Sequence, residues 1–346
     1  MEKYISQIQT PKVSIAPMVD KTHRHFRAFS RILTKNTLLY TEMISAQSII
    51  NTDTDKHLFF NKKDEGSVAL QIAACNPEDA FKAVKIAENY DYDEINLNCG
   101  CPSDRVSGNL MGAALMADKK LVFEILIAMK EATKKPITIK HRIGINGEDI
   151  LNPKNSKIIL EGYEDLLEFL EAISKARPDR YTIHARSAIL KGLSPKENRE
   201  IPPLDYTLVH KLKKDFPYLN IEINGGFKTI SDIKEQLTYV DGVMIGRASY
   251  ENCYLLSKFD ELSTGIASNI TRKSILEAYL PYVEKELLIG TSSYALLNPI
   301  QSLFLGEKGS KLFKQLLSPP NLNARNGIEI INRILKELPE ESLNLY

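Results

Sequence analysis

Asn220-Ile221-Glu222-Ile223-Asn224-Gly225-Gly226 and, one helical stretch later, Gly242-Val243-Met244-Ile245-Gly246-Arg247 are the segments whose reading decides the fold. Each is a short strand-type run that stops in glycine, and the chain between them is long enough for one crossover helix, the pattern of parallel strands joined by helices. The same unit recurs toward the N-terminus as Val13-Ser14-Ile15-Ala16, Thr37-Leu38-Leu39-Tyr40, Val68-Ala69-Leu70-Gln71-Ile72, Glu94-Ile95-Asn96-Leu97-Asn98, Ile137-Thr138-Ile139-Lys140 and Tyr181-Thr182-Ile183-His184, which makes eight strands. The intervening segments carry apolar stripes at helical spacing: Ala80, Phe81, Val84 and Ala87 after Asn76-Pro77, then Leu121, Val122, Ile125, Leu126 and Met129, then Leu166, Leu167, Leu170 and Ile173. Eight such units over about 250 residues predict an α/β protein built as a (β/α)8 TIM barrel. A doubly wound sheet usually has fewer strands and a Gly-rich first turn, and no G-x-G-x-x-G follows the first strand here.

After about residue 260 the strand pattern stops. Ile275, Tyr279, Leu280 and Val283, then Leu303, Leu312 and Leu316, then Ile328, Ile330, Ile331 and Leu335 predict helices only. The expected division is a barrel over residues 1–261 and a C-terminal helical domain over 262–346. Residues 144–163, rich in Asn, Asp and Lys, read as an inserted loop after the fifth strand.

Composition limits the function. The 346 residues carry 45 Lys and Arg against 44 Asp and Glu, so bulk charge will not draw the protein onto nucleic acid or membrane, and any polyanion must be held by a local patch. Cys75, Cys99, Cys101 and Cys253 are too few and too unevenly placed for a disulfide framework. With no signal-peptide pattern and no run of about 18 apolar residues, a cytoplasmic protein with no membrane contact is expected.

On a barrel of this kind chemistry sits at the C-terminal ends of the strands. Here those ends read Ala16-Pro17-Met18, Glu42, Gln71, Asn96 with Asn98, Lys140, His184, Asn224-Gly225-Gly226 and Gly246-Arg247. One polar strand end is ordinary; a complete ring of them points to a binding site. Glycines in pairs are common in tight turns, but the last two strands are where phosphate sites occur on this fold. Their glycine backbones with the Arg247 guanidinium favour a phosphorylated cofactor, and Gln71 and Lys140 suit the polar edge of a ring system such as flavin mononucleotide.

Asn98-Cys99-Gly100-Cys101-Pro102 puts a thiol on the loop over the barrel mouth. No second Cys or His pair at ligand spacing accompanies it, so metal is not expected. Packing is the commonest role of a cysteine, and Cys75, Cys99 and Cys253 are read that way; Cys101, held between Gly100 and Pro102, is the candidate for chemistry. Residues 184–206 place Arg186, Lys191, Lys196 and Arg199 in a loop longer than usual, with two carboxylates, Glu197 and Glu200, close to them in sequence. A solvated face is the usual fate of such charges, yet these adjoin His184 at the mouth. His23 and His25, before and within the first helical stripe, read as capping or surface groups, and Glu42 as a residue that orders neighbouring loops.

The chain resembles the tRNA-dihydrouridine synthases, in particular the bacterial branch that acts on uridines 20 and 20a of the D-loop. The resemblance is carried by Ala16-Pro17-Met18, residues 38–43, residues 93–98 through Cys101-Pro102-Ser103-Asp104-Arg105, His184-Ala185-Arg186, residues 192–206, Ile223-Asn224-Gly225-Gly226 and Asp241-Gly242-Val243-Met244. It implies that Pro17, Met18, Val19, Gln71, Lys140, His184, Asn224, Gly225, Gly226, Gly246 and Arg247 hold FMN, that NADPH is the reductant, and that Cys101 gives the proton taken up at uracil C5 after hydride reaches C6. It also implies that Asn98, Lys196 and Arg199 touch tRNA, aided by Lys311 and Lys314 where the family commonly has arginines. Cys99, where the family often has Val, is a further departure. The implied protein works as a monomer. Two rival readings are an FMN barrel that reduces a small molecule, which leaves the basic loop and helical appendage unexplained, and a tRNA-binding protein that has lost catalysis, against which the retained Cys101 and cofactor positions argue.

Overall fold

Each of the eight apolar runs forms a strand in the computed structural model, which describes residues 6, 8–102, 111–151, 157–323 and 325–345. The strands are β1 (Val13–Ile15), β2 (Leu39–Ser45), β3 (Val68–Ala73), β4 (Glu94–Cys99), β5 (Ile137–Leu151), β6 (Lys157–Leu160), β7 (Tyr181–Ile189), β8 (Ile221–Asn224) and β9 (Gly242–Ile245). They pair in the order β1-β9-β8-β7-β5-β4-β3-β2, parallel throughout. A parallel bridge between Ser14 and Leu38, with the Ile15 N–H donating to Leu38 O at 2.9 Å, joins the first strand to the second and completes the ring. The result is a (β/α)8 barrel, whose strands are buried both by helices outside and by side chains within.

Local signals account for the helices. Asn76 caps the helix Pro77–Ala87 by accepting the Asp79 N–H at 2.8 Å, and Pro77 occupies the first turn, where a missing N–H costs nothing. Its inward face is Ala80, Ala83, Val84 and Ala87; Phe81, assigned to that face from the sequence, is instead exposed, because it lies off the row that Ala83 completes. His23 caps the helix Arg24–Leu33 through its ring, as expected of it.

Residues 144–163 correct the sequence reading. β5 runs on to Leu151 and turns back into β6, paired antiparallel with Ile145 opposite Leu160 and Asn146 opposite Ile159, so the segment is a hairpin growing out of the barrel wall. Its Asn, Asp and Lys content concealed the apolar pairing of Ile145 with Leu160. Gly144 permits the approach, since a Cβ there would lie 2.3 Å from Leu160 O. Residues 152–156 lie outside the described residues.

Beyond β9 the described chain is helical, with Arg272–Leu288 and Gly327–Glu337 as the longest segments. Arg272–Leu288 docks on the first barrel helix: the Phe29 and Tyr279 rings lie 5.2 Å apart edge to face, His25 Nδ1 is 2.9 Å from the Tyr282 hydroxyl, and Arg24 pairs with Glu286. Among the described residues no helix is long and apolar enough to cross a membrane.

The barrel interior is charged at its closed end. Arg180, Glu94 and Glu222 are buried together; the Arg180 guanidinium donates to Glu94 and, at 2.8 Å, to the Tyr40 hydroxyl, and lies 3.7 Å from Glu222. Ser14 and Thr182 donate to Glu222 at 2.6 Å each, and Thr138 donates to Glu94 at 3.0 Å. The site must therefore lie at the other end.

Candidate active site at the barrel mouth

Strand register stacks the polar residues in rungs: Gln71 beside Asn96 beside Thr138, Asn98 beside Lys140 beside Thr182, and His184 beside Asn224 beside Met244. Hydrogen bonds link them into a ladder. Asn96 Nδ2 donates to Thr138 Oγ1 at 2.8 Å, Gln71 Nε2 to Asn96 Oδ1 at 2.8 Å, and Asn98 Nδ2 to Gln71 Oε1 at 2.9 Å. At the top, Asn98 Oδ1 accepts the N–H groups of Gly100 at 3.2 Å and Cys101 at 3.1 Å. Asn98, assigned to tRNA contact from the sequence, is buried and spends its amide on the turn that carries the half-buried Cys101. Ser103, Asp104 and Arg105 lie outside the described residues.

Lys140 is also buried, and Nζ donates to Asn224 Oδ1 at 3.0 Å while Asn224 Nδ2 donates to Met244 O at 2.9 Å. Burial, and then repulsion from Arg142, pulls the Lys140 ammonium down to about 7. His184 is held well below its ordinary value by burial and by the cations Arg142, Lys140, Arg186 and Arg199, so the ring is neutral at physiological pH.

Arg142, two residues on from Lys140 on β5, went unnoticed in the sequence, although the period-two spacing was the available signal. Its buried guanidinium donates through Nε to Gly100 O at 3.0 Å and through Nη1 to Asn198 O at 3.1 Å, and burial lowers it to about 10. With Lys140, Arg186, Arg199 and Arg247 it makes the mouth strongly positive. Glu200 meets this cluster by pairing with Arg247 at 2.8 Å, so the arginine expected at a cofactor phosphate is here joined to the basic loop.

Gly225 and Gly226 adopt φ of +134° and +78°, and a Cβ on either would come within 2.7 Å of Leu204. The Tyr206 hydroxyl donates to Gly225 O at 2.8 Å, so the end of the basic loop packs directly on this glycine pair. Gly246 has open space beside it, with Ala16 Cβ 3.9 Å from a Cβ built there. Pro17, Met18 and the exposed Val19 form the turn after β1; the Met18 N–H donates to Thr22 Oγ1 at 3.0 Å, and the Asp20 N–H donates to Glu42 Oε1 at 2.5 Å. Asp20 holds φ of +62°, and Glu42, whose carboxyl is pushed up by burial, orders this turn. Lys196 and Arg199 project from the loop after β7, both exposed, and Lys311 and Lys314 are exposed on the C-terminal helix Ser310–Leu316. Cys99 and Cys253 are fully buried, Cys75 half-buried. Among the described residues no group of three or more His, Cys, Asp or Glu could hold a metal ion.

A half-buried thiol on a turn fixed by a buried amide, at the same barrel mouth as a buried lysine, is placed where it could pass a proton to a ligand bound there. Comparison with known proteins narrows this. The dihydrouridine synthase family model matches residues 14–338. The chain is 44% identical over 339 residues to the tRNA-dihydrouridine(20/20a) synthase of Synechocystis, covering 97% of each chain. It is 43% identical to that of Vibrio vulnificus, covering 95% of this chain and 98% of the relative, and 41% identical to that of Escherichia coli, covering 94% and 95%. Among solved structures, 2-naphthoyl-CoA reductase in complex with 2-naphthoyl-CoA superposes with a TM-score of 0.52 at 11% identity, over 72% of this chain and 50% of that one, a likeness of fold alone.

Proposed function

This chain belongs to the dihydrouridine synthase family, and on that premise we propose that it reduces the C5=C6 bond of uridines 20 and 20a in the tRNA D-loop, a reading supported by the name its relatives carry, tRNA-dihydrouridine(20/20a) synthase. The observation that carries the proposal is the amide ladder ending on the Cys101 N–H, which gives one thiol of the mouth a fixed place.

The residues at the mouth fit FMN. Lys140 is a buried ammonium whose partner is a neutral amide oxygen, and an electron-rich ring edge would complete its shell. Asn224 supplies the amide beside it and Gln71 another at the mouth, Gly246 has open space for a close approach to its backbone, and the glycine pair Gly225-Gly226, under Leu204, lies between His184 and Arg247 in the ring of strand ends. Pro17, Met18 and Val19 would close the turn after β1 against the same group. When bound, FMN reduced by NADPH supplies the hydride taken up at C6 of the uracil.

Cys101 delivers the proton to C5, and so must meet the base as the neutral thiol. Asn98 and Arg142 hold its turn from both sides, on the N–H groups of Gly100 and Cys101 and on Gly100 O. Lys140 stabilises negative charge that develops during reduction. Lys196 and Arg199, with Lys311 and Lys314 on the helices of 262–346, take phosphates of the tRNA, so residues 1–261 act as the catalytic domain and 262–346 as the domain that presents the RNA. The target uridine leaves its stack to enter the mouth, at a cost of a few kcal/mol that phosphate contacts offset. A cytoplasmic monomer is sufficient for this.

Mass spectrometry of tRNA from cells lacking the protein tests the proposal. D-loop fragments lighter by the mass of two hydrogens, restored by the wild-type chain and not by Cys101→Ala, are expected. An unchanged D-loop mass would overturn it and favour an FMN barrel acting on a small molecule.

A further inference from the structure

We propose that Asn198 is a positioning residue for tRNA: its buried side chain sets the loop from which Lys196 and Arg199 project, and Arg142 ties that loop to the turn carrying Cys101. The proposal deepens the reading above and rests on Lys196 and Arg199 being phosphate ligands.

The loop after β7 has the composition of a mobile surface segment, and residues 194–197 and 199–201 are exposed. Asn198, in their midst, is 0% exposed. Its Oδ1 accepts the Ile189 N–H at 2.8 Å while Nδ2 donates to Ile189 O at 2.9 Å and to Leu193 O at 3.2 Å. The amide thus pairs with the last residue of β7 as a neighbouring strand would, and draws the far side of the loop onto the barrel rim. Its main-chain carbonyl accepts from Arg142 Nη1, and the same guanidinium donates to Gly100 O.

Two further contacts close the loop without using either proposed RNA ligand. Glu197 Oε2 accepts the Ser194 N–H at 2.8 Å, and Glu200 pairs with Arg247. Lys196 and Arg199 are therefore fixed at the main chain while their side chains remain exposed. Two cations held in advance bind a phosphate backbone without first losing loop entropy, whereas the same cations on a loose loop must lose it on binding. Arg142 adds a rigid connection, so the surface that engages RNA and the turn that presents the thiol share one buried group.

The test compares flavin-loaded, full-length wild type, Asn198→Ala, Lys196→Ala/Arg199→Ala and the triple variant for tRNA Kd across a salt series and for kcat and KM of dihydrouridine formation. Flavin absorbance at wild-type occupancy certifies the fold. Lys196→Ala/Arg199→Ala is expected to flatten the slope of log Kd against log salt by about 1.5, as two lost phosphate contacts require. Asn198→Ala is expected to raise Kd and KM about tenfold with kcat within about twofold of wild type, through lost preorganisation. In the triple variant Asn198→Ala should add less than about twofold, because it acts through the two cations.

A wild-type KM in Asn198→Ala overturns the positioning role while leaving the RNA-binding reading intact. A full additive loss in the triple variant likewise overturns action through Lys196 and Arg199. Wild-type binding and salt slope in Lys196→Ala/Arg199→Ala instead overturn the reading itself, and the proposal with it. Asn198→Asp keeps the acceptor for the Ile189 N–H but turns the donor into an acceptor facing two carbonyls; it should show the same KM-weighted defect, and provides the decisive comparison should the alanine variant not fold.

Discussion

Replacing Lys140 by methionine should make the flavin-free protein more stable while abolishing its hold on flavin. Lys140 is buried with Asn224 Oδ1 as its hydrogen-bond acceptor, and its ammonium is lowered from 10.5 to about 7. At about 1.4 kcal/mol per tenfold, that displacement corresponds to about 5 kcal/mol of instability from burying the charge. The unfolded chain binds the proton more tightly than the folded one, so the penalty is complete below pH 7, fades as pH rises toward 10.5 and is absent above it. Methionine fills similar volume without charge, but it leaves the Asn224 oxygen without its donor, a loss of about 1–3 kcal/mol. The net expectation for Lys140→Met is a gain of about 2–4 kcal/mol at pH 6, shrinking or reversing by pH 10. Urea denaturation of flavin-free protein at pH 6, 8 and 10, with flavin titration in parallel, measures both effects. A variant less stable than wild type at pH 6, or a stability difference independent of pH, would refute the reasoning that Lys140 is a charge the fold tolerates for a ligand.

Three other perturbations address different parts of the site. Asn98→Ala removes the acceptor for the Gly100 and Cys101 N–H groups; kcat for dihydrouridine formation should fall about 100-fold with flavin still bound, as misplacement of a reacting group by about an ångström does. Gly225→Ala puts a Cβ within 2.7 Å of Leu204 at φ of +134°, and should lose about 1–3 kcal/mol of stability together with flavin retention, read by thermal melting and absorbance. Arg180→Met strips the cation from Glu94 and Glu222; a loss of about 3–5 kcal/mol is expected at pH 8, smaller at pH 5 because Glu222, whose carboxyl burial already pushes up, then takes a proton and needs no cation, as denaturation at the two pH values will reveal.

Much of the barrel was legible because each parallel strand is a short apolar run and each covering helix repeats its apolar residues every third or fourth position. β6 was not, because Asn, Asp and Lys around it mask a hairpin whose apolar partners, Ile145 and Leu160, are distant in sequence. The ring of strand ends from Gln71 to Arg247 could be read from position alone, since strand ends point to the mouth. What those side chains touch could not. Asn98 read as a ligand for RNA, but cross-strand register sets it against Gln71 and the Cys101 turn. Arg142, Asn198 and the cluster of Arg180, Glu94 and Glu222 escaped notice for a related reason: whether a polar residue in a strand or loop faces inward depends on neighbours that only the folded chain supplies.

The ladder has a direction, set at its base. Glu94 accepts from Arg180 and from Thr138; with its one hydroxyl proton so used, Thr138 can only accept from Asn96, and Gln71 must then donate to Asn96 and Asn98 to Gln71. That sequence leaves the Asn98 oxygen facing outward, the only orientation in which it can accept the Cys101 N–H. A carboxylate at the sealed end of the barrel thereby dictates which way the last amide faces at the open end. The interior works as a polarised relay rather than as inert packing, and a change of Glu94 to a group that can also donate would unset the orientation of every amide above it.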